Sequence, residues 1–139
     1  ALLGGAYLGQ YAFGLYPCEM CWWQRYPHFV ALALGLIGLV RPSRGLVMLG
    51  ALAILISGLI GAYHAGVEYK WWEGLTACTA SATKGAADPM AAIWDAPIIR
   101  CDDVQWSLFG ISLAGFNFLI STGAALVILA LARRKGEAA

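Results

Sequence analysis

Residues 46–67 (LVMLGALAILISGLIGAYHAGV) are apolar from end to end, with one histidine and no formal charge. A bilayer core about 30 Å thick is crossed by roughly 20 helical residues rising about 1.5 Å each. A second run of the same kind, residues 111–132, is interrupted only by Asn117 and small hydroxyls. Residues 22–40 form a third, polar at its start (Gln24, Arg25, His28) and apolar from Phe29 onward, and residues 1–16 form a shorter fourth. The chain opens on Ala1 rather than methionine, which suggests that the first helix starts earlier than the sequence given. Lipid offers the backbone no hydrogen bonds, so runs of this length must be helical. The expected fold is an all-α integral membrane protein, a four-helix transmembrane bundle forming a single domain over residues 1–139. Its long outer loop, residues 68–110, is expected to carry a short surface helix.

Composition agrees. Apolar types make up 60% of the chain and charged types 12%, against about 45–50% and 25% in soluble domains. That excludes a disordered chain, which needs low hydrophobicity. A formal net charge of +1 leaves no basic stripe to neutralise nucleic-acid phosphates.

Basic residues at the span ends set the direction. Arg41 and Arg44 lie in the turn between the second and third spans, and Arg133, Arg134 and Lys135 follow the fourth. These ends are predicted to be cytoplasmic, with both termini inside. The outer side then receives residues 17–21 and the acidic loop 68–110. Within the spans, glycines permit close helix approach, and Gly58, Gly61 and Ala65 are placed to line one packing stripe.

All four cysteines fall on the outer side. Disulfides persist in such compartments, so two pairs are expected. Cys18 and Cys21 form a Cys-x-x-Cys, the usual frame of a redox-active dithiol. Cys78 and Cys101 enclose a longer loop, which a bridge between them would simply staple if it were structural. Zinc would normally call for two Cys-x-x-Cys units, and only one exists; no metal is expected.

The second span is predicted to start near Cys21, where the positive end of the helix dipole favours a thiolate. Arg25 lies one turn on, on the same face, and His28 one turn further. An arginine just inside a membrane is costly and points to function: it would stabilise a neighbouring thiolate or bond a ligand carbonyl. Snorkelling to headgroups is the alternative for Arg25, and filling an irregularity at Pro27 the alternative for His28. His64, near the outer end of the third span, is either a buried histidine bonded to a carbonyl or a proton donor to a reducible ligand. All six tryptophans cluster on the cysteine side, as interfacial anchors or as walls for a planar ligand. In the loop, Asp88-Pro89 reads as a helix start, with Met90, Ile93 and Trp94 on one face of a surface helix. Residues 76–87 are small and polar, which leaves Cys78 within reach of an outside protein.

Pro17-Cys18-x-x-Cys21-x-x-x-Arg25, His64, and Cys101-x-x-x-Gln105-Trp106-x-x-Phe109-Gly110 together resemble the disulfide bond formation protein B (DsbB) family over nearly the whole chain. Those proteins are bacterial inner-membrane quinone reductases that reoxidise the periplasmic thiol oxidase DsbA. The resemblance implies a quinone cofactor, ubiquinone or menaquinone, and a periplasmic DsbA-like partner. It implies that Cys78 forms the mixed disulfide with that partner and that Cys101 exchanges with Cys18. Cys21 is then the thiolate beside the quinone, with Arg25 next to it and His64 at the membrane edge. Gln24 and the Pro27-His28 pair suggest a distinct subgroup. A vitamin K epoxide reductase-like enzyme is the nearest alternative, although its loop cysteines precede the Cys-x-x-Cys. A non-enzymatic four-span protein with two structural disulfides is another.

Overall fold

A computed structural model describes residues 1–74 and 100–137. Four helices account for most of them: α1 (Leu2–Ala12), α2 (Glu19–Val40), α3 (Arg44–Glu68) and α4 (Leu113–Glu137). Two short strands, β1 (Ser107–Leu108) and β2 (Ile111–Ser112), pair antiparallel just before α4. Residues 75–99, with Cys78, Lys84 and the surface helix expected around residues 88–94, lie outside the described residues.

Two helices, α3 and the first 22 residues of α4, are long and apolar enough to cross a membrane. The expected boundaries shift at the other ends. The run at 1–16 is helical only to Ala12, about 16 Å of rise; the chain then turns through Gly14 at a φ of 66°. The second helix starts at Glu19, within two residues of Cys21 as expected and ahead of the span at residue 22, because Cys18 caps it: its sulfur accepts from the Cys21 backbone N–H at 3.3 Å. The fourth starts at Leu113 rather than residue 111, since Ile111 and Ser112 are taken by the hairpin.

That hairpin has a two-residue loop, Phe109-Gly110, with both φ values positive, 54° and 78°. Two positive φ values mark the type I′ turn, whose twist suits tight hairpins and whose second position favours glycine. Tyr69 pins the turn, its hydroxyl donating to the Gly110 carbonyl at 2.7 Å and accepting from the Ser112 N–H at 2.9 Å.

Successive helices run antiparallel. Gln24 meets His64 while Pro27 and Val30 approach Ala53 and Ile56, so α2 and α3 oppose. The α3–α4 seam is the tightest. A Cβ on Gly61 would lie 2.9 Å from the Ala114 carbonyl oxygen, and one on Gly58 3.0 Å from the Thr122 nitrogen. Gly58 and Gly61 of the expected small-residue stripe thus form the contact with α4, and Ala65, its third member, is buried. Leu32, Leu36 and Leu39 of α2, Leu52 and Leu59 of α3, and Leu119 and Val127 of α4 point outward and are exposed. So much contiguous apolar surface is what lipid, not water, covers.

Candidate thiol–disulfide site

A buried apolar cluster among the described residues is built around sulfur: Cys18, Met20, Val67 and Cys101, with Cys21 and Tyr63 packed against it. Three elements converge there. Cys18 and Cys21 stand at the first turn of α2, His64 and Val67 at the last turns of α3, and Cys101 in the segment entering the hairpin.

The convergence has local causes. α3 ends in a Schellman pattern, Trp71 N–H to Gly66 carbonyl at 2.8 Å and Lys70 N–H to Val67 carbonyl at 3.1 Å. Lys70 takes the left-handed position with a φ of 60°, which glycine usually fills. Its ammonium donates to the Asp102 carboxylate at 2.6 Å and to the Asp102 carbonyl at 2.7 Å. Arg100 grips the same carboxylate with two bonds of 2.8 Å. Hydrogen bonds from Arg100 first, then Lys70, hold the Asp102 carboxyl well below the ordinary carboxylate range. Cys101 sits between these clamped residues. Gln105 closes the other side, donating to the Tyr16 carbonyl at 2.9 Å, two residues before Cys18.

Cys18 and Cys21 are both free thiols, with sulfurs 3.0 Å apart and Cys18 the donor. The bond to Cys21 and then burial push the Cys18 thiol far above its ordinary value, so Cys18 keeps the proton. Cys101 carries a disulfide. The Cys18 sulfur, a His64 ring nitrogen and the Cys101 sulfur all lie within 4.8 Å of one another. This trio has the donor atoms of a metal set, but the metal ligand is a thiolate and a disulfide sulfur is not one. What the arrangement can do is thiol–disulfide exchange, in which a thiolate attacks a disulfide sulfur.

The remaining candidate residues divide between two faces of α2. Arg25, 7% exposed, turns toward α1. It donates to Gln10 Oε1 at 2.7 Å and the Ala6 carbonyl at 3.3 Å, and lies 4.8 Å from the Tyr7 ring centre and 5.0 Å from that of Trp22. These hydrogen bonds go to α1, while Cys21 lies one turn before it. His28 faces α4: Nδ1 bonds the Gln24 carbonyl at 3.1 Å, and Nε2 lies 3.4 Å from Ser121 Oγ. His64 Nε2 is 3.6 Å from the Cys18 sulfur and 3.9 Å from Glu68 Oε1, and Nδ1 is 2.8 Å from Gln24 Nε2.

A groove of about 390 Å³ opens between α2 and α3, lined by Trp23, Tyr26, Pro27, Val30, Ala53, Ile56 and Ile60. It is wholly apolar and lies on a different face of α2 from Cys21 and Arg25.

Sequence reading missed Glu68, buried beside His64 with Oε2 unpartnered among the described residues. It also gave no role to Asn117, seen only as an interruption of a span. The signal for Asn117 was its presence there, since a polar group at membrane depth must find a partner.

The model of the disulfide bond formation protein DsbB family matches residues 1–131. The chain belongs to the DsbB family. A disulfide bond formation protein B from a Polaromonas species is 33% identical, over 94% of this chain and 81% of that protein. One from Paracidovorax citrulli is 32% identical over 96% and 85%, and one from Aromatoleum aromaticum 33% over 97% and 87%. No solved structure matches the chain. Membership makes this a membrane-associated, disulfide-forming oxidoreductase, in keeping with its sulfur-centred core.

Proposed function

We propose that this DsbB-family chain is a quinone-dependent thiol oxidase that reoxidises a periplasmic DsbA-like dithiol protein. The observation that carries the reading is the Cys18–Cys21 dithiol meeting the Cys101 disulfide within 4.8 Å. Two redox pairs in contact form a relay; two structural staples have no reason to touch.

The reading includes a four-span topology with cytoplasmic termini and residues 68–110 in the periplasm, supported by the basic turn and C-terminal end. Cys78 takes the mixed disulfide with the partner, and Cys101 passes the exchange to Cys18. In that step one sulfur–sulfur bond forms as another breaks, the displaced sulfur leaves as thiolate, and no electrons are gained or lost overall. Cys18 keeps its proton against Cys21, which leaves Cys21, half-buried at the helix start, as the anionic sulfur.

The residues present fit a quinone. Arg25 already bonds two carbonyl-type oxygens between aromatic rings, and a quinone offers the same acceptor and a planar ring. Arg25 and Cys21 would hold it, with His64 and His28 on the inner side of α2. A bound quinone supplies a two-electron acceptor that exports reducing equivalents into the lipid phase. Arg25 orients a carbonyl and favours negative charge there, while Cys21 presents its sulfur from the adjoining turn.

Purified chain in detergent is expected to oxidise a reduced DsbA-type protein with ubiquinone or menaquinone, and Cys21→Ser to abolish this. Full turnover in Cys21→Ser would overturn the assignment. Thiol trapping offers a second measurement: a labile, mixed redox state at Cys18 and Cys21 is expected, and two inert disulfides would contradict it.

A further inference from the structure

Gln24, Ser57, His64, Asn117 and Ser121 form a hydrogen-bonded set in the interior between α2, α3 and α4, and the proposed relay does not use most of it. Its bond directions are fixed by groups that can only accept. One amide nitrogen of Asn117 faces the Ser57 backbone carbonyl at 3.1 Å, so that end must be NH₂. The same Nδ2 donates to Gln24 Oε1 at 2.8 Å, and Ser121 Oγ donates to Asn117 Oδ1 at 2.7 Å. The other end of the Gln24 amide faces the Met20 backbone carbonyl at 3.2 Å, so it too must be NH₂. It is this NH₂ that lies 2.8 Å from His64 Nδ1.

A ring nitrogen facing a donor must be the bare one. Neutral His64 therefore carries its proton on Nε2, which has the Cys18 sulfur at 3.6 Å and Glu68 Oε1 at 3.9 Å as acceptors, and the Cys101 backbone also bonds the ring. We infer that Gln24, oriented by Asn117, is a positioning residue that locks His64 as the Nε2–H tautomer and so directs the Cys18 proton to Cys21.

The consequence for sulfur follows from what each tautomer offers. With Nε2 protonated, His64 turns an N–H toward Cys18 and Cys101 and cannot take the Cys18 proton. The Cys18 S–H is left with Cys21 as its acceptor, the bond seen at 3.0 Å, and the anion of the pair belongs on Cys21. With Nε2 bare, His64 would compete for that S–H and Cys21 would lose its donor. Neither arrangement oxidises or reduces anything; one proton is placed on one of two acceptors. His28 has the opposite surroundings, Nδ1 against the Gln24 carbonyl and Nε2 near the Ser121 hydroxyl, so it is expected as the Nδ1–H form. This inference rests on the thiol-relay reading for its purpose, but not for its test.

The test is ¹⁵N NMR of the full chain, labelled in its two histidines and in detergent micelles, with Cys18 and Cys21 reduced and His28→Gln used for assignment. The expected spectrum has His64 protonated at Nε2, with an Nδ1 resonance displaced by an incoming hydrogen bond. Gln24→Met should remove that displacement. A wild-type proton on Nδ1, or an Nδ1 resonance indifferent to Gln24→Met, would overturn the lock. The wild-type spectrum decides the tautomer even if a variant fails to fold. As a second readout, alkylation of Cys21 by a small reagent should slow in Gln24→Met by roughly 2- to 10-fold, the worth of one net hydrogen bond. An unchanged rate would overturn the direction of the proton. Loss of quinone-coupled turnover with this spectrum intact would break the functional reading instead and leave the lock standing.

Discussion

Gln24 and Arg25 are neighbours in sequence and open onto different environments. Arg25 looks toward α1, where its charge is met by two oxygens and two aromatic rings. Gln24 looks toward α3 and α4, where three neutral amide and hydroxyl side chains and a histidine satisfy one another. The difference is one of purpose. A permanent charge at a helix flank is costly to bury, and it is retained here by turning its donors onto oxygens and its charge onto rings; in the proposed function it also meets a ligand carbonyl. A chain of neutral hydrogen bonds costs little when complete and fixes geometry, but it fails as a unit when one member is removed.

The sharpest way to break this contrast is to remove each side separately. Arg25→Met keeps the bulk of the stem and deletes the donors. Turnover with quinone is expected to fall by about 10²-fold or more, the usual loss for one preorganised donor, with the thermal midpoint nearly unchanged. Steady-state kinetics against quinone concentration, alongside thermal unfolding in the same detergent, would check it. Near-normal turnover would move the quinone elsewhere, and the apolar groove at Trp23, Tyr26 and Ile60 would be the place to look.

Asn117→Leu should do the reverse. It strips Gln24 Oε1 and the Ser57 carbonyl of a donor and Ser121 of its acceptor. Leaving buried polar groups unpaired costs about 1–3 kcal/mol, read as a lowered midpoint of thermal unfolding. A variant as stable as the parent would mean that water fills the gap and that the interior set is not the scaffold described above.

The same contrast explains what the sequence could reveal. Long apolar runs, the Cys-x-x-Cys, Arg25 and His64 announce themselves because their cost or chemistry is a property of the residue itself. Gln24 and Asn117 do not. Their meaning lies in partners 40 to 93 positions away, and spacing within one helix carries no trace of it. Helix ends misread for a similar reason: apolar Ile111 was assigned to a span, but the positive φ values at Phe109 and Gly110 made it a strand partner of Leu108. By sequence alone Asp102 is one negative charge among several in an acidic loop. Its position between Lys70 and Arg100 makes it the fastening that brings Cys101 to Cys18.

That fastening gives the smallest expected effect. Asp102→Asn keeps the shape and removes the charge that two cations share. Exposed ion pairs are individually weak, so exchange between Cys101 and Cys18 is expected to slow by only roughly two- to fivefold. Rapid mixing of the fully oxidised chain with a reduced dithiol protein, quenched by alkylation, would measure it as the appearance of a Cys18–Cys101 bridge. The pH dependence carries the sign. The Asp102 carboxyl is held below its ordinary value in the folded chain, so the unfolded chain binds its proton first as pH falls. The clamp is fully present above the ordinary carboxylate value near pH 4 and weakens as acid drives the folded group toward protonation. Parent and variant should therefore differ at neutral pH and converge only in acid. Parent and variant that matched even at neutral pH would place the work in the Asp102 backbone carbonyl, which also accepts from Lys70 at 2.7 Å and which Asp102→Asn leaves in place.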